Sequence, residues 1–426
     1  MTWIPWLFLA VALVGAWFTV NAFRPVFSAP RFSVVSFLAG WLTTELALHH
    51  LAWQALLTFL FVGAGALEAW PGWIGLGITA VSWAGLVRLW TGARTAEAVC
   101  EDALRTGLGP AYRDDIRPDL AERFAPGVDW RQLALPFPIR HPEVERVKGL
   151  VYAEVDGRPL RLDVYRRRDR PAGSPVLLQI HGGAWILGSK DHQGLPLMIH
   201  MAARGWVCVA PNYRLSPRAT FPDHLVDLKR ALKWIREHAA EYGGDPDFVV
   251  VTGGSAGGHL ASLVALTANA PEYQPGFEGV DTSVRGCVPF YGVYDFTDRH
   301  GHYPHRGLAV LLERDVMKVK RADAPEAYEK ASPIARVHPG APPFFIVHGD
   351  RDTLVPVHEA RAFARALREV GRTEVVYAEI PGAQHAFEIF PSLRTTFVIH
   401  AVERFLARLW SRHVRTAHPA AGRAVG

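Results

Sequence analysis

A chain of 426 residues with 49% hydrophobic and only 20% charged residues is long enough to bury a large core and too apolar to be disordered. Its 46 Lys plus Arg against 41 Asp plus Glu give a net charge of +5, too modest for a nucleic-acid module. The run Arg166-Arg167-Arg168 with Arg170 has no binding motif beside it and reads as a solvated loop. Cys100, Cys208 and Cys287 lack paired metal-ligand spacing and read as core residues.

Charge is spread unevenly. Residues 1–90 hold only Arg24, Arg31, Arg88, Glu45 and Glu68 as charged residues. Ile4 to Val20 carries no charge; at about 1.5 Å per residue a helix of this length reaches across a hydrocarbon core. No Lys or Arg precedes it, so the basic start of a signal peptide is missing. Two more apolar stretches, Leu46 to Leu67 and Trp73 to Trp90, are split by Pro71-Gly72. Residues 1–91 are therefore expected to form a transmembrane helical region of about three spans in a lipid bilayer, with Trp3, Trp6, Trp70, Trp73 and Trp90 at interfacial depth. Phe32 to Leu42 is apolar too; we join it to the second span or lay it at the interface, because Glu45, His49 and His50 are costly against lipid. Arg24 and Arg31 follow the first span, and Arg88 and Arg94 the third, whereas the turn between the second and third spans carries only Glu68. Positive charge marks the cytoplasmic side, so the N-terminus is expected outside and the rest of the chain inside the cell. A fourth span over Phe32 to Leu48 would reverse that side.

Residues 92–144 mix charge, proline and short helical patterns and are expected to be a linker with possible lid character. Strands then begin. Val147 to Val155 and Leu160 to Tyr165 flank the hairpin signal Asp156-Gly157, and apolar runs at Val176 to Ile180, Val207 to Pro211, Phe248 to Thr252, Cys287 to Tyr291, Pro343 to Val347 and Glu374 to Ile380 alternate with helical segments such as Leu225 to Ala240. This alternation implies an α/β domain over residues 145–412, a mostly parallel sheet covered on both faces by helices. Thr297 to Lys330, charged and His-rich, is assigned to a cap near 297–330, and residues 413–426 to a flexible tail.

The chemistry-bearing segments lie at strand ends. Gly253-Gly254-Ser255-Ala256-Gly257 stands between a strand and a helix-competent run, the pattern of a nucleophile elbow. The flanking glycines let the backbone turn sharply enough to lift a serine hydroxyl clear of the sheet, and the helix behind it aims free N–H groups at developing negative charge. Upstream, Val176 to Ile180 runs into His181-Gly182-Gly183-Ala184-Trp185, where small residues allow a substrate carbonyl to approach backbone amides. Downstream, an apolar strand ends in His348-Gly349-Asp350-Arg351-Asp352. Two acids compete there: Asp352, before the Leu354-Val355-Pro356 turn, is the candidate triad acid, and Asp350 the loop-ordering one. Of 19 histidines, only His385 follows the acid loop on a post-strand loop ahead of a last amphipathic helix, which makes it the general base. His181 is expected to order its own loop and His259 to be structural.

Together the His181 loop, the Gly-Gly-Ser-Ala-Gly-Gly-His elbow, the His-Gly-Asp-Arg-Asp loop and the Gln-His-Ala-Phe loop resemble the α/β-hydrolase superfamily, and within it carboxylesterases of the hormone-sensitive-lipase type. The resemblance spans roughly residues 145 to 412. It implies Ser255, Asp352 and His385 as the catalytic residues and the amides of Gly183, Ala184 and Ala256 as oxyanion donors. It also implies no cofactor or metal, and small-molecule ester or lipid substrates. Many such esterases carry a third glycine where this chain has Ala184, whose methyl is expected to narrow the pocket together with Trp185 beside it.

Three classes of function compete. An ester hydrolase is favoured by the complete motif set. A serine peptidase of the prolyl-oligopeptidase kind shares the fold but usually brings a large additional N-terminal domain, where this chain has apolar helices. A non-catalytic hydrolase-fold binding protein is expected to lack triad members, and none is missing.

Overall fold

The structure, a computed structural model, describes residues 3–124, 127–137 and 139–417. Five helices come first: α1 (Ile4–Phe23), α2 (Pro30–Glu45), α3 (Ala47–Gly63), α4 (Trp70–Gly92) and α5 (Thr95–Leu108). Prolines at the first turns of α1, α2 and α4 suit positions where the missing N–H costs nothing. Two helical segments, α1 and the continuous stretch from Trp70 to Leu108, are long and apolar enough to cross a membrane; α2 and α3 pass the same test only as a pair, bent by 90° at Leu46.

Inside this bundle the burial pattern is reversed from that of a water-soluble one. Gly15, Thr19, Gln54, Thr58, Thr79 and Ser82 are buried, while Leu13, Trp17, Leu56, Phe59, Ile74 and Val81 face outward. The interior is held by hydrogen bonds, Thr19 Oγ1 to Ser82 Oγ at 2.7 Å and Ser82 Oγ to Gln54 Oε1 at 3.2 Å. Glycines bring the backbones close: a Cβ on Gly75 would lie 3.2 Å from the Leu9 Cα.

The expected linker is corrected in its first part. α5 packs on the last strand and the C-terminal helix, burying Ala96, Cys100, Ala103 and Leu104, and Tyr112 and Ile116 join the same core. Polar residues crowd its outer face and mask its amphipathic pattern in the sequence. Short helices at Pro118–Ala121 and Trp130–Ala134 follow.

Eight strands then form one sheet: β1 (Val144–Val155), β2 (Arg158–Arg167), β3 (Ser174–Ile180), β4 (Val207–Pro211), β5 (Gly244–Gly254), β6 (Gly286–Phe290), β7 (Phe344–Gly349) and β8 (Val375–Ile380). Their order is β1-β2-β4-β3-β5-β6-β7-β8. β1 and β2 form the expected hairpin and β2 runs antiparallel to β4; every other pairing is parallel. Fully buried runs such as Val176 to Ile180 and Phe344 to Gly349 are mostly apolar, Gln179 and His348 excepted, because helices cover both faces. Those helices include α6 (Leu195–Ala203), α7 (Asp223–His238), α8 (Ala256–Leu266), α9 (Val357–Glu369) and α10 (Leu393–Ala417). Two large apolar clusters, one on each face, make the core.

Residues 413–417, expected in a tail, continue α10; the remainder of that tail, 418–426, lies outside the described residues. The segment 297–330 contains the short helices Gly307–Leu311 and Pro325–Lys330 joined by a π-helical turn.

Candidate active site

The parallel strands end on one edge, and the candidate residues gather there. Ser255 links β5 to α8 with φ 59° and ψ −122°, a conformation that costs on the order of 1–3 kcal/mol and persists only where its surroundings enforce it. They do so through glycines. A Cβ on Gly257 would lie 2.2 Å from the Ile180 carbonyl oxygen, and one on Gly253 2.6 Å from the same atom, so no larger residue lets the turn close against β3. The Ser255 N–H donates to the Phe290 carbonyl (3.0 Å), pinning the elbow to β6.

His385 reaches the serine from the loop after β8, and Asp352 reaches the histidine from the loop after β7. The distance from His385 Nε2 to Ser255 Oγ is 2.8 Å, and from His385 Nδ1 to Asp352 Oδ2 2.6 Å. Both are hydrogen-bond distances in the geometry that nucleophile, base and orienting acid require. Asp352 is 1% exposed. Burial alone would raise its carboxyl; His385 and His348 beside it, with their hydrogen bonds, override that and hold it well below the usual range. The Leu354 and Val355 amides, both 2.8 Å from Asp352 Oδ1, occupy its other oxygen. Asp350 instead is exposed and accepts from the Gly382 amide at 2.7 Å, away from the triad.

The His181 loop lies directly against the elbow: a Cβ on Gly182 would be 3.2 Å from the Ser255 Cβ. Gly183 has φ 112°, and Ala184 and Trp185 also have positive φ, 52° and 61°. The loop is held by Gly182 N–H donating to Gln193 Oε1 (2.6 Å) and by the His181 ring, which stacks on Tyr213 and bonds the Gly182 carbonyl. Among the described residues, the amides of Gly183, Ala184 and Ala256 donate to no protein acceptor. The expected pocket-narrowing role of Trp185 is corrected. Its ring is buried against His259 and Phe296, with Nε1 donating to His259 Nδ1 (3.1 Å), because a 2% exposed indole needs both apolar neighbours and an acceptor. His259 is thereby part of the interior, as its Nε2 contact with the Ala331 carbonyl also shows.

Several neighbours were not singled out from sequence. Gln384 Oε1 accepts from the amides of Thr353 (2.7 Å) and His385 (2.9 Å), coupling acid loop and base loop. His348 Nε2 lies 2.9 Å from the Val355 carbonyl and 3.2 Å from Asp352 Oδ2. The Tyr291 ring lies 4.5 Å from that of His385, and its hydroxyl donates to buried Glu388. Burial pushes that carboxyl up to about 7 despite the Tyr291 hydrogen bond. Phe37, from α2, sets its ring edge-on to His385 at 5.9 Å. No motif announces these; Gln384, Tyr291 and Phe37 act through contacts distant in sequence, and His348 within its own loop.

Among known proteins, the BD-FAE family model matches residues 162–367. The chain is 44% identical over 423 residues to "Probable carboxylic ester hydrolase LipM" of Mycobacterium tuberculosis, covering 96% of this chain and 95% of that one. It is 43% identical to "Esterase LipQ" of the same organism, over 76% of this chain and 77% of that one. Of solved structures, native esterase 2 of Thermogutta terrifontis is similar with a TM-score of 0.50 and 27% identity, covering 66% of this chain and 95% of that chain. A truncated carbohydrate esterase from gut microbiota shares the fold, with a TM-score of 0.53 at 20% identity, over 63% of this chain and all of that one. The chain thus belongs to the α/β-hydrolase superfamily, among the esterases of the hormone-sensitive-lipase type.

Proposed function

We propose that this protein is a membrane-anchored serine carboxylesterase that cleaves short to medium acyl esters through an acyl-enzyme. The observation that carries the reading is the continuous line from Asp352 through His385 to Ser255. Ser255 Oγ attacks the ester carbonyl carbon as His385 Nε2 takes its proton, and Asp352 fixes the imidazole tautomer and stabilises the imidazolium. The tetrahedral oxyanion is held by the free amides of Gly183, Ala184 and Ala256, with the first turn of α8 adding its positive end. Collapse breaks the ester C–O bond, and the alcohol leaves with the proton from His385. Water, deprotonated by the same histidine, then attacks the acyl-serine and releases the acid. Each step uses side chains and amides already in place, and none calls for a cofactor or metal. The Ala184 methyl in the oxyanion loop restricts bulky groups and underlies the acyl-length preference.

Anchoring rests on the reversed burial of the N-terminal helices, which leaves large apolar side chains outside and small polar ones within, as lipid favours. α1, α3 and α4 are read as the spans. Arg24, Arg31, Arg88 and Arg94 then lie on one side with the hydrolase, and the excess of positive charge on cytoplasmic loops supports a cytoplasmic catalytic domain. Rates on p-nitrophenyl esters of increasing acyl length, measured beside a proline-directed peptide amide, test the reading. Turnover is expected on the shorter esters, absent in Ser255→Ala; cleavage of the amide with negligible ester hydrolysis would overturn it.

A further inference from the structure

α2 belongs to the apolar N-terminal region, where Ser36 bonds Asn21 of α1 (2.7 Å), yet it also has polar partners in the hydrolase. The Thr353 hydroxyl donates to the Ser33 carbonyl (3.0 Å), and Arg351 Nη1 donates to the Ala22 carbonyl in the last turn of α1 (2.6 Å). Ser33 Oγ lies 3.2 Å from His305 of the 297–330 segment. At the other end, Glu45 accepts from the Ser392 hydroxyl (2.7 Å) and pairs with Arg394 (3.3 Å), both charged groups being at most 2% exposed. Between these fixings, Phe37 meets the His385 ring and stacks on Trp41, which stacks on Phe390 of the base loop at 4.8 Å. The helix is therefore bound to the acid loop, the base loop and the inserted segment at once.

Its two faces differ. Ser33, Ser36, Thr43, Thr44 and Glu45 are buried toward the protein, whereas Phe32, Val35, Leu38 and Leu42 are exposed, at the i, i+3, i+6, i+10 spacing of one helix face. α2 also stands at 90° to α3. If α3 runs along the bilayer normal, α2 lies in the membrane plane, with its apolar side where an interfacial helix buries it and its polar side under the catalytic loops. Continuity with the outward-facing apolar side chains of α1, α3 and α4 makes lipid the occupant of that face.

We propose that α2 is the membrane-side wall of the catalytic site, an in-plane helix bordering His385 through Phe37, and that the ester cleaved at Ser255 is bilayer-resident, reaching the triad past α2 rather than from bulk water. This rests on the serine-esterase reading above. Only one helix diameter, about 10 Å, then separates the acyl-chain boundary from the catalytic imidazole. Thermodynamically, a lipophilic ester held in the bilayer need not be lifted into water before it reaches the serine, and that lowers the cost of capture in proportion to the apolar area kept covered. Phe37 becomes a specificity-determining residue, because it borders the reacting centre from the side on which the lipophilic part of the substrate arrives.

The full-length protein in phosphatidylcholine vesicles tests this with two substrates, soluble p-nitrophenyl butyrate and a medium-chain diacylglycerol, dioctanoylglycerol, mixed into the bilayer. Adding inert phosphatidylcholine at constant total diacylglycerol is expected to lower the diacylglycerol rate in proportion to its mole fraction, and to leave the butyrate rate alone. Val35→Asp, a charge on the outer face of α2, is expected to cut the diacylglycerol rate about tenfold while butyrate hydrolysis changes less than about twofold. Phe37→Ala is expected to change the ratio of the two rates rather than both equally. A fluorophore on Val35→Cys should be quenched by lipids carrying a nitroxide near the headgroup. Equal effects of Val35→Asp and Phe37→Ala on both substrates, or no quenching at position 35, would overturn the proposal. Absence of butyrate hydrolysis in the wild type would instead defeat the esterase reading beneath it.

Discussion

Asp350 and Asp352 are two residues apart in one loop, and the sequence offers only their order relative to the Leu354-Val355-Pro356 turn to separate them. In the structure they diverge completely: Asp352 is buried with its carboxylate on His385, while Asp350 caps the amide of Gly382. Asp352→Asn is therefore expected to lower kcat by about 10⁴ through the wrong imidazole tautomer, and Asp350→Asn by little; steady-state kinetics on p-nitrophenyl butyrate check both. The gathering of Ser255, His385 and Asp352 was legible because each sits in a local pattern of strand end, small residue and polar side chain. Tyr291 and Glu388 were not legible, since their meeting spans 97 residues. Tyr291→Phe keeps the ring beside His385 but leaves a buried carboxyl without its donor. We expect a stability loss of about 1–3 kcal/mol by chemical denaturation, with kcat within a few-fold of wild type.

At the scale of elements, the sheet was readable strand by strand, because buried parallel strands are short continuous apolar runs closed by glycine or a polar loop. The helices next to it were less so. α5 carries Glu97, Glu101, Asp102 and Arg105 on its outer turns, and that polarity masks the stripe Ala96, Cys100, Ala103, Leu104 which packs on β8. α2 was ambiguous for the opposite reason: its apolar content suggests a span, while its placement depends on the bend at Leu46. α9 shows how a helix is tied to the site by one buried carboxyl. Glu359 Oε2 accepts from the amides of Tyr294 (3.1 Å) and Asp295 (2.9 Å), which follow β6. Burial, reinforced by Asp295, pushes its carboxyl up to about 8 against those hydrogen bonds. A raised folded-state value means the folded form holds the proton more tightly, so this contribution is complete below the ordinary value of 4.5 and is lost as pH rises towards 8. Glu359→Gln, which keeps an accepting oxygen and no charge, should flatten the fall of Tm between about pH 5 and pH 8, a stabilisation on the order of a few kcal/mol at the upper end. Thermal unfolding of both proteins across that range decides it; parallel curves would refute the assignment.

For the molecule as a whole, the apolar bundle and the hydrolase share an interface through α2, and the charge pattern of the bundle makes their proposed orientation across a membrane testable. Cys100, Cys208 and Cys287 are buried and free, so single exposed cysteines can be introduced without removing them. On intact cells, a membrane-impermeant thiol reagent is expected to label Ala64→Cys, on the turn after α3, and to spare Glu237→Cys, on the outer face of α7, until the cells are opened. The reverse pattern would place the catalytic domain outside. Every step of the proposed reaction passes through acylation of Ser255, and a fluorophosphonate, which phosphonylates an activated serine, reports on that activation. Mass spectrometry of the labelled full-length protein is predicted to find a single stoichiometric adduct on the peptide containing Ser255, absent in Ser255→Ala and formed far more slowly in His385→Ala. An adduct on another serine, or undiminished labelling of Ser255→Ala, would contradict it.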